Sequence, residues 1–177
     1  MIKYRLFIIG LLLLRFIPGS SQESAKQAAQ KKAFENMVDA HLSYSIPVVN
    51  VNFVKDNLEK LVILDTRELH EYEISHIPKA RHIGFDKFDI KSLPTDITKD
   101  KQIVVYCSIG YRSEKIGEKL KDAGYTKVYN LYGSIFDWAN NGLPLIDKNN
   151  KATQQIHGYN KKWSSWITNP KLKVRVD

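Results

Sequence analysis

The chain contains a single cysteine, and the residues around it are typical of a reactive thiol. Cys107 opens the segment Cys-Ser-Ile-Gly-Tyr-Arg-Ser, which follows the apolar run 103–106 and precedes a helical pattern that starts near Arg112. A strand, a tight loop and a helix N-terminus in this order direct backbone N–H groups and the positive end of the helix dipole toward the sulfur. That field stabilises the thiolate, which is the nucleophilic form. We therefore interpret Cys107 as a nucleophile rather than as a small core residue.

The segments that must position Cys107 alternate between strand-like and helix-like patterns. Residues 61–64 and 103–106 are continuous apolar runs, which is typical of strands buried on both faces. Shorter strands are predicted at 47–51, 80–83 and 127–130, and no strand is predicted after 127–130. Helices are predicted at 54–61, 68–74, 112–123 and 134–140. This alternation predicts an α/β fold with a parallel sheet between helices. Ligands of such sheets bind at the carboxyl ends of strands, where Cys107 lies.

Acidic residues on two of these helices are predicted to face solvent. In the helix 112–123, the outward positions are Glu114, Glu118, Lys119 and Asp122. On the helix 68–74, the predicted solvated face consists of Glu68, Glu71 and Glu73. His70 and Glu71 begin a zinc-protease pattern, but Ile74 occupies the position of the second histidine, so no metal site is expected.

The first 21 residues are typical of a secretory signal peptide. A basic start with Lys3 and Arg5 is followed by the apolar run 6–14 and a patch of small residues that ends at Ser21. The run is shorter than the about 20 residues that span a membrane. We expect cleavage after Ser20 or Ser21 and export to the periplasm or the medium, with no membrane span afterwards. Arg15 interrupts the segment late, which keeps an uncleaved membrane anchor as the alternative.

The net charge and the cysteine count limit the kinds of molecule that the chain is expected to bind. The formal net charge of +8 falls to +5 without the three basic residues of the segment 1–21. An exported chain with so modest an excess is not expected to bind nucleic acid, but the positive field suits small anionic substrates. One cysteine excludes an internal disulfide, and a free thiol in an oxidising compartment must be buried or used.

Three regions follow residue 21. Residues 22–44 are predicted as an N-terminal helix, 45–147 contain the strand–helix alternation, and 148–177 form a basic, aromatic C-terminal extension. The apolar stripe of the first helix consists of Ala33, Phe34, Met37, Val38 and Leu42. In the extension, four apolar residues lie at helical spacing: Tyr159, Trp163, Trp166 and Ile167. We expect the extension to pack on the domain, with a partner or membrane-surface contact as the alternative.

Four segments together resemble the rhodanese family of sulfurtransferases. They are Leu-Asp-Thr-Arg-Glu at 64–68, Glu71-Tyr72 with Ser-His-Ile-Pro-Lys-Ala at 75–80, the cysteine segment 105–113, and Asn-Leu-Tyr-Gly at 130–133 with Trp138 and Gly-Leu-Pro at 142–144. The resemblance covers about residues 45–147 and implies one rhodanese-like domain, a three-layer α/β/α fold with a central, mainly parallel sheet. Ser75 and Ser134 replace glycines of the family pattern.

The resemblance implies a chemistry and a set of roles. The thiolate of Cys107 would take the outer sulfur of thiosulfate or a persulfide, hold it as a persulfide and pass it to a thiol or cyanide. The implied active-site loop comprises Ser108, Ile109, Gly110, Tyr111, Arg112 and Ser113. Arg112, the only charged residue of this loop, would order it and favour an anionic donor. The implied structural residues are Asp65, Arg67 and His76.

The resemblance also implies partners and leaves other functions open. We expect a small sulfur donor and a thiol acceptor, which includes a protein acceptor, together with a monomeric state and no cofactor. The alternatives are a non-catalytic binding module and a sulfur carrier for a protein partner. A phosphatase or an arsenate reductase is less favoured, because four residues separate Cys107 from Arg112, whereas those relatives use five to cradle a larger anion.

Overall fold

A computed structural model describes the backbone of residues 19–176 and the side chains from residue 22 onward. The predicted signal peptide, 1–21, lies outside the described residues except for 19–21, which are helical. Among the helices of the described part, none is long and apolar enough to cross a membrane.

The chain divides into two compact units, residues 1–33 and 34–177. In the first unit, residues 19–33 begin the helix α1 (Gly19–Asp39), and their side chains are exposed from residue 22 onward. In the second unit, α1 continues to Asp39. Of the predicted apolar stripe, Phe34, Val38 and Leu42 are buried and Met37 is partly buried, whereas Ala33 is exposed.

The second unit is built around a five-stranded sheet whose strands are all parallel. In chain order the strands are β1 (Val48–Val49), β2 (Val62–Asp65), β3 (Arg81–His82), β4 (Gln102–Tyr106) and β5 (Lys127–Leu131). Their spatial order is β1-β5-β4-β2-β3, which places β4 at the centre. The helices of this unit beyond α1 are α2 (Val51–Asn57), α3 (Leu69–Ile74), α4 (Tyr111–Asp122), α5 (Ser134–Asn140) and α6 (Lys161–Ser164), with a short 3₁₀ helix at Ile90–Ser92. The predicted α/β class is confirmed.

Alternating side chains of β4 divide the core between the two faces of the sheet. Val104 and Tyr106 belong to the larger hydrophobic cluster, while Ile103 and Val105 belong to the smaller one that includes residues of α4. All four side chains are fully buried. A strand that is covered on both faces has no polar face, which explains its unbroken apolar sequence. The loop that follows β4 is therefore anchored in the most buried part of the sheet.

Short strands that the sequence did not predict follow β5, most of them in the C-terminal extension, so the expectation that 127–130 is the final strand was wrong. β6 (Leu145–Ile146) pairs with β7 (Ala152–Thr153), and β8 (Gln155–His157) pairs in parallel with β9 (Lys173–Arg175). These strands are two or three residues long, too short for a period-2 pattern to be visible.

The extension packs on the domain, as expected, and little of it is helical. Ile156 is fully buried, and Trp163, Trp166 and Ile167 are partly buried against the larger cluster. Helical structure in the extension is limited to the four residues of α6. Asn160 caps the N-terminus of α6, because its side chain accepts the N–H groups of two residues in the first turn. Of the four apolar residues at helical spacing, only Trp163 lies within α6.

Candidate active site

Cys107 lies between the carboxyl end of β4 and the N-terminus of α4, at the start of a tight loop. Its side chain is buried, and its sulfur accepts a hydrogen bond from the N–H of Gly110 at 3.2 Å. Its own N–H donates to Ser134 Oγ at 3.0 Å. Gly110 has φ of +125°, and a Cβ atom there would meet Leu42 at 3.1 Å. Only glycine adopts such a backbone readily, so the residue type at position 110 is required for the loop to close on the sulfur.

The surroundings of the thiol favour the thiolate. Burial by itself raises the pKa of Cys107, but the positive charge of Arg112 and the N–H groups of Ser113 and Gly110 outweigh burial and lower the pKa. The sulfur lies at the N-terminus of the 12-residue helix α4, because it accepts the N–H of the N-cap residue Gly110, and the helix dipole there favours negative charge. The loop therefore stabilises negative charge on the sulfur, whether on the thiolate or on a sulfur atom attached to it.

Arg112 is held beside Cys107 by a carboxylate that the sequence did not identify. Its Nη1 and Nη2 atoms donate to the two carboxylate oxygens of Glu71 at 2.7 and 2.9 Å, and Nη2 also donates to Ser108 Oγ at 3.0 Å. The Glu71 side chain is 1% exposed and that of Arg112 is 13% exposed. A bidentate pair of this kind fixes the plane of the guanidinium as well as its position.

The interpretation of Glu71 as part of a solvated helix face was therefore wrong. Glu71 is the third helical residue of α3, and its Oε2 also accepts the N–H of Glu68 at 3.0 Å, which completes a capping box. The Glu68-x-x-Glu71 spacing was visible in the sequence as a helix start, but nothing local showed that Glu71 is buried. Burial raises its pKa, but hydrogen bonds and charge from Arg112 and the charge of Arg67 prevail and lower it to about 2.

Glu114 was also predicted to face outward and is in fact buried. Its carboxylate oxygens accept the N–H groups of Ser43 at 2.9 Å and Ser45 at 3.0 Å. These bonds fasten the segment that follows α1 to the first turn of α4. A carboxylate in the first turn of a helix is stabilised by the dipole, and here it also joins the N-terminal segment to the active-site loop.

Ser113 takes part in hydrogen bonds that join the loop to strand β5. Its hydroxyl lies 2.7 Å from Asn130 Oδ1 and 3.1 Å from the Gly110 carbonyl oxygen, and Asn130 Nδ2 donates to that same carbonyl at 2.9 Å. Asn130 belongs to β5, so the loop is tied to the neighbouring strand. Of the remaining loop residues, Ile109 is buried and Tyr111 is 49% exposed.

Asp65, Arg67 and His76 occupy structural positions. Asp65 and Arg67 are completely buried and joined by an ion pair of 2.6 Å, and Arg67 Nη2 also donates to the Ser75 carbonyl oxygen at 2.7 Å. His76 stacks on Tyr72 with ring centroids 3.8 Å apart. These contacts connect the end of β2 to α3 and the turn that follows it. They hold α3, and with it Glu71, in place.

The C-terminal extension reaches the same site, which the sequence did not predict. The Arg112 guanidinium lies over the ring of Tyr159, 5.0 Å from its centroid. His157 Nδ1 lies 3.8 Å from Glu71 Oε1, and both side chains are 1% exposed. β8 packs against α3. The aromatic content of the extension indicated packing, but no sequence pattern indicated which surface it covers.

The lowered pKa of Cys107 can be measured by alkylation. We expect the alkylation rate of the native protein to rise with pH along a curve whose inflection lies below the value of about 8.5 for a free thiol. Because the sulfur is buried, the absolute rate is not informative, and the inflection is the quantity to compare. The urea-unfolded chain is the control and should inflect near the free-thiol value. A native inflection at or above that of the unfolded chain would contradict the described electrostatics.

Comparison with known proteins agrees with this geometry. Residues 50–141, more than half of the chain, match the Rhodanese-like domain family. YrkF of Bacillus subtilis (strain 168), a candidate sulfur carrier protein, is 34% identical over 97 residues, which are 53% of this chain and 51% of YrkF. The tRNA uridine(34) hydroxylase of Escherichia coli (strain K12 / DH10B) is 36% identical over 115 residues, which are 59% of this chain and 32% of the hydroxylase. The chain therefore spans about half or less of the length of these relatives.

Solved structures show the same fold. The rhodanese-related protein of Thermoplasma volcanium superposes with a TM-score of 0.51 at 24% identity, over 57% of this chain and 98% of that one. The thiosulfate sulfurtransferase of Pseudomonas aeruginosa superposes with a TM-score of 0.54 at 24% identity, over 67% of this chain and 23% of that one. With the family match over residues 50–141 and the cysteine loop at the end of the central strand, this chain belongs to the rhodanese-like domain family.

Proposed function

We propose that this protein is a sulfurtransferase that stores a sulfane sulfur on Cys107 as a persulfide and passes it to a thiol or to cyanide. The observation that supports this most strongly is the environment of the only thiol in the chain. It is buried at the N-terminus of α4, accepts the Gly110 N–H, and has a lowered pKa. An anionic sulfur at this point is both nucleophilic and stabilised.

The reaction is a two-step covalent transfer. In the first step the thiolate attacks the outer sulfur of the donor R–S–SH, a bond forms between the two sulfur atoms, and the donor S–S bond breaks with its electron pair leaving on R–S⁻. In the second step the acceptor attacks the outer sulfur of the Cys107 persulfide, and the Cys107 thiolate is restored. The loop N–H groups that face the sulfur would stabilise the negative charge in both steps.

A sulfur carrier for a protein partner is the second candidate. The burial of Cys107 favours it, since an enclosed persulfide is protected from small reductants until an acceptor docks. The same persulfide is the intermediate in both functions, and the acceptor distinguishes them. An idle binding module has no use for a lowered thiol pKa, and the four-residue spacing to Arg112 disfavours phosphate-sized substrates.

Mass spectrometry of the intact protein tests the proposal. After incubation with thiosulfate or with a small organic persulfide, we expect the mass to increase by one sulfur atom, located on Cys107 by peptide mapping. Subsequent addition of cyanide should remove the sulfur and release thiocyanate in equal amount. A mass that stays unchanged with every donor would overturn the assignment as a sulfurtransferase or carrier.

We also propose that the protein is exported and acts in the periplasm or the medium, as a monomer that meets small donors and thiol acceptors. The support is the basic, apolar and small-residue order of residues 1–21. N-terminal sequencing of the exported protein should start at Ser21 or Gln22. A mature protein that still begins at Met1 would favour the uncleaved anchor.

A further inference from the structure

Arg112 has little capacity left to receive an incoming anion. It is the only charged residue among 107–113, so it is the one group of the loop that could attract a dianion by charge. Its Nη atoms already bind the two carboxylate oxygens of Glu71 and the hydroxyl of Ser108. The Glu71 carboxylate neutralises the positive charge of the Arg112 guanidinium, and only 13% of the Arg112 side chain is exposed.

Tyr159 covers a face of the same guanidinium. With the ring centroid 5.0 Å from the guanidinium carbon, the ring lies within the range of a cation–π contact. Tyr159 is 46% exposed, so it stands between Arg112 and solvent rather than inside the core. Residue 159 lies outside the family match, which ends at 141. The rhodanese-like domain by itself would leave this face of Arg112 uncovered.

Hydrogen bonds and close packing in the extension hold Tyr159 over the Arg112 guanidinium. Tyr159 has φ of +66°, an unfavourable value for a residue with a side chain. Its N–H donates to His157 Nδ1 at 3.1 Å, and the N–H of Gly158 donates to the Arg175 carbonyl oxygen at 2.8 Å. Gly158 is packed so closely that a Cβ atom would lie 2.5 Å from Ser164 Cβ. The pairing of β8 with β9 thus stabilises a strained residue that contacts the active site.

We propose that Tyr159 is a specificity-determining residue which, together with Glu71, shields Arg112 from the donor, so that the site accepts sulfur from persulfides on uncharged organic groups in preference to thiosulfate. This rests on the proposed function and names its donor class. A dianion that approaches the buried thiolate must lose water and meets no unpaired cation in exchange. A persulfide with an uncharged organic group has a smaller desolvation cost and delivers its outer sulfur to the Cys107 sulfur, which accepts the Gly110 N–H.

The two donors react by the same exchange with different charge. With a persulfide, Cys107–S⁻ and R–S–SH give Cys107–S–SH and R–S⁻. With thiosulfate, Cys107–S⁻ and S–SO₃²⁻ give Cys107–S–S⁻ and SO₃²⁻, so three negative charges gather in the transition state instead of one. Both reactions balance without an added oxidant or reductant. Only the reaction with thiosulfate is expected to depend strongly on a cation that is not already paired with a carboxylate.

The test compares sulfur-loading rates of the full chain with thiosulfate and with the persulfide of 2-mercaptoethanol, at low and high salt. For the wild type we expect faster loading by the persulfide and a thiosulfate rate that changes little between about 20 and about 500 mM salt. In Tyr159→Ala, the exposed face of Arg112 should raise the thiosulfate rate relative to the persulfide rate, on the order of threefold, and make it fall with salt. Tyr159→Phe, which keeps the ring, should behave as the wild type.

Tyr44→Ala is the matched control, because Tyr44 is also at positive φ and 48% exposed. Its donor ratio should equal that of the wild type. Faster loading of the wild type by thiosulfate, or an unchanged ratio in Tyr159→Ala, would overturn the donor preference while leaving the sulfurtransferase assignment intact. Absence of loading by both donors would instead overturn the proposed function, and the donor preference with it.

Discussion

The Cys107→Ser variant is expected to lose transfer of sulfur from a persulfide to cyanide by at least about 10³-fold. The chain has no second thiol that could hold the intermediate, and a serine hydroxyl at the same place has a pKa far too high to act as the nucleophile. The measurement is thiocyanate release under single-turnover conditions, together with the mass of the protein after incubation with the donor.

The fold of Cys107→Ser should persist, so that loss of transfer can be assigned to the missing sulfur. The Gly110 N–H that donates to the sulfur can donate to the hydroxyl oxygen of the introduced serine instead of being left unpaired, which keeps the cost in unfolding free energy at about 1–2 kcal/mol. Circular dichroism and urea denaturation check this. A correctly folded Cys107→Ser protein that still transfers sulfur at a comparable rate would exclude the persulfide mechanism.

Glu71→Gln is expected to have the largest effect on stability among single changes around the loop. Glu71 and Arg112 form a bidentate pair in which the carboxylate is 1% exposed. Removing one partner of a buried pair leaves the other charge uncompensated and costs about 3 kcal/mol of unfolding free energy at neutral pH. The rate of sulfur loading should fall by about tenfold to a hundredfold, because Arg112 and Ser108 lose the group that positions them.

Glu73→Gln is the matched control, since Glu73 lies on the same helix α3. Its ion pair with Lys148 is 4.0 Å long, and both side chains are about half exposed. An exposed pair of this kind contributes at most about 1 kcal/mol, so Glu73→Gln should unfold and load sulfur nearly as the wild type does. Equal effects of the two substitutions would show that Glu71 contributes only through the charge or propensity of α3.

The pH dependence of the Glu71→Gln effect gives a second check. The folded-state pKa of Glu71 is about 2, below its ordinary value of 4.5. The ion pair therefore contributes its full stability above about pH 4.5 and loses it as the pH falls toward 2. The difference in unfolding free energy between wild type and Glu71→Gln should be constant near neutral pH and shrink below about pH 4.5. A difference that does not change across this range would indicate that the carboxylate charge is not responsible.

The contacts of Arg112 agree with one of its two expected roles and oppose the other. The resemblance to the rhodanese family implied both an ordering role for Arg112 and attraction of an anionic donor. The structure agrees with the first, since Arg112 joins the loop to α3 through Glu71. The second is opposed by the same pair and by the ring of Tyr159. Arg112 still lowers the pKa of Cys107 through its positive charge, so its described effect is on the thiol.

The local features of the site could be predicted from the sequence because each depends on neighbours in the chain. An apolar run followed by Cys107, a glycine three residues on and a helix start implies a thiol at a helix N-terminus, and the structure places it there. The parallel sheet was predictable for the same reason, since strands buried on both faces have no polar alternation. The α/β class and the cysteine loop needed no tertiary information.

Only the tertiary structure decided which distant groups surround that loop. Glu71 was assigned to solvent from a short helix whose charged residues look alike in sequence, yet Glu71 is buried and Glu73 is half exposed. Glu71 lies against Arg112 and against His157 of β8, and β8 packs on α3 from a distant segment of the chain. Tyr159, two residues after β8, lies over Arg112. Burial and charge pairing depend on what packs against a residue, and short strands of two or three residues leave no periodic trace of that packing. The sequence by itself therefore determined the fold and the position of the cysteine loop, and the folded chain alone determined which distant groups lie against Cys107.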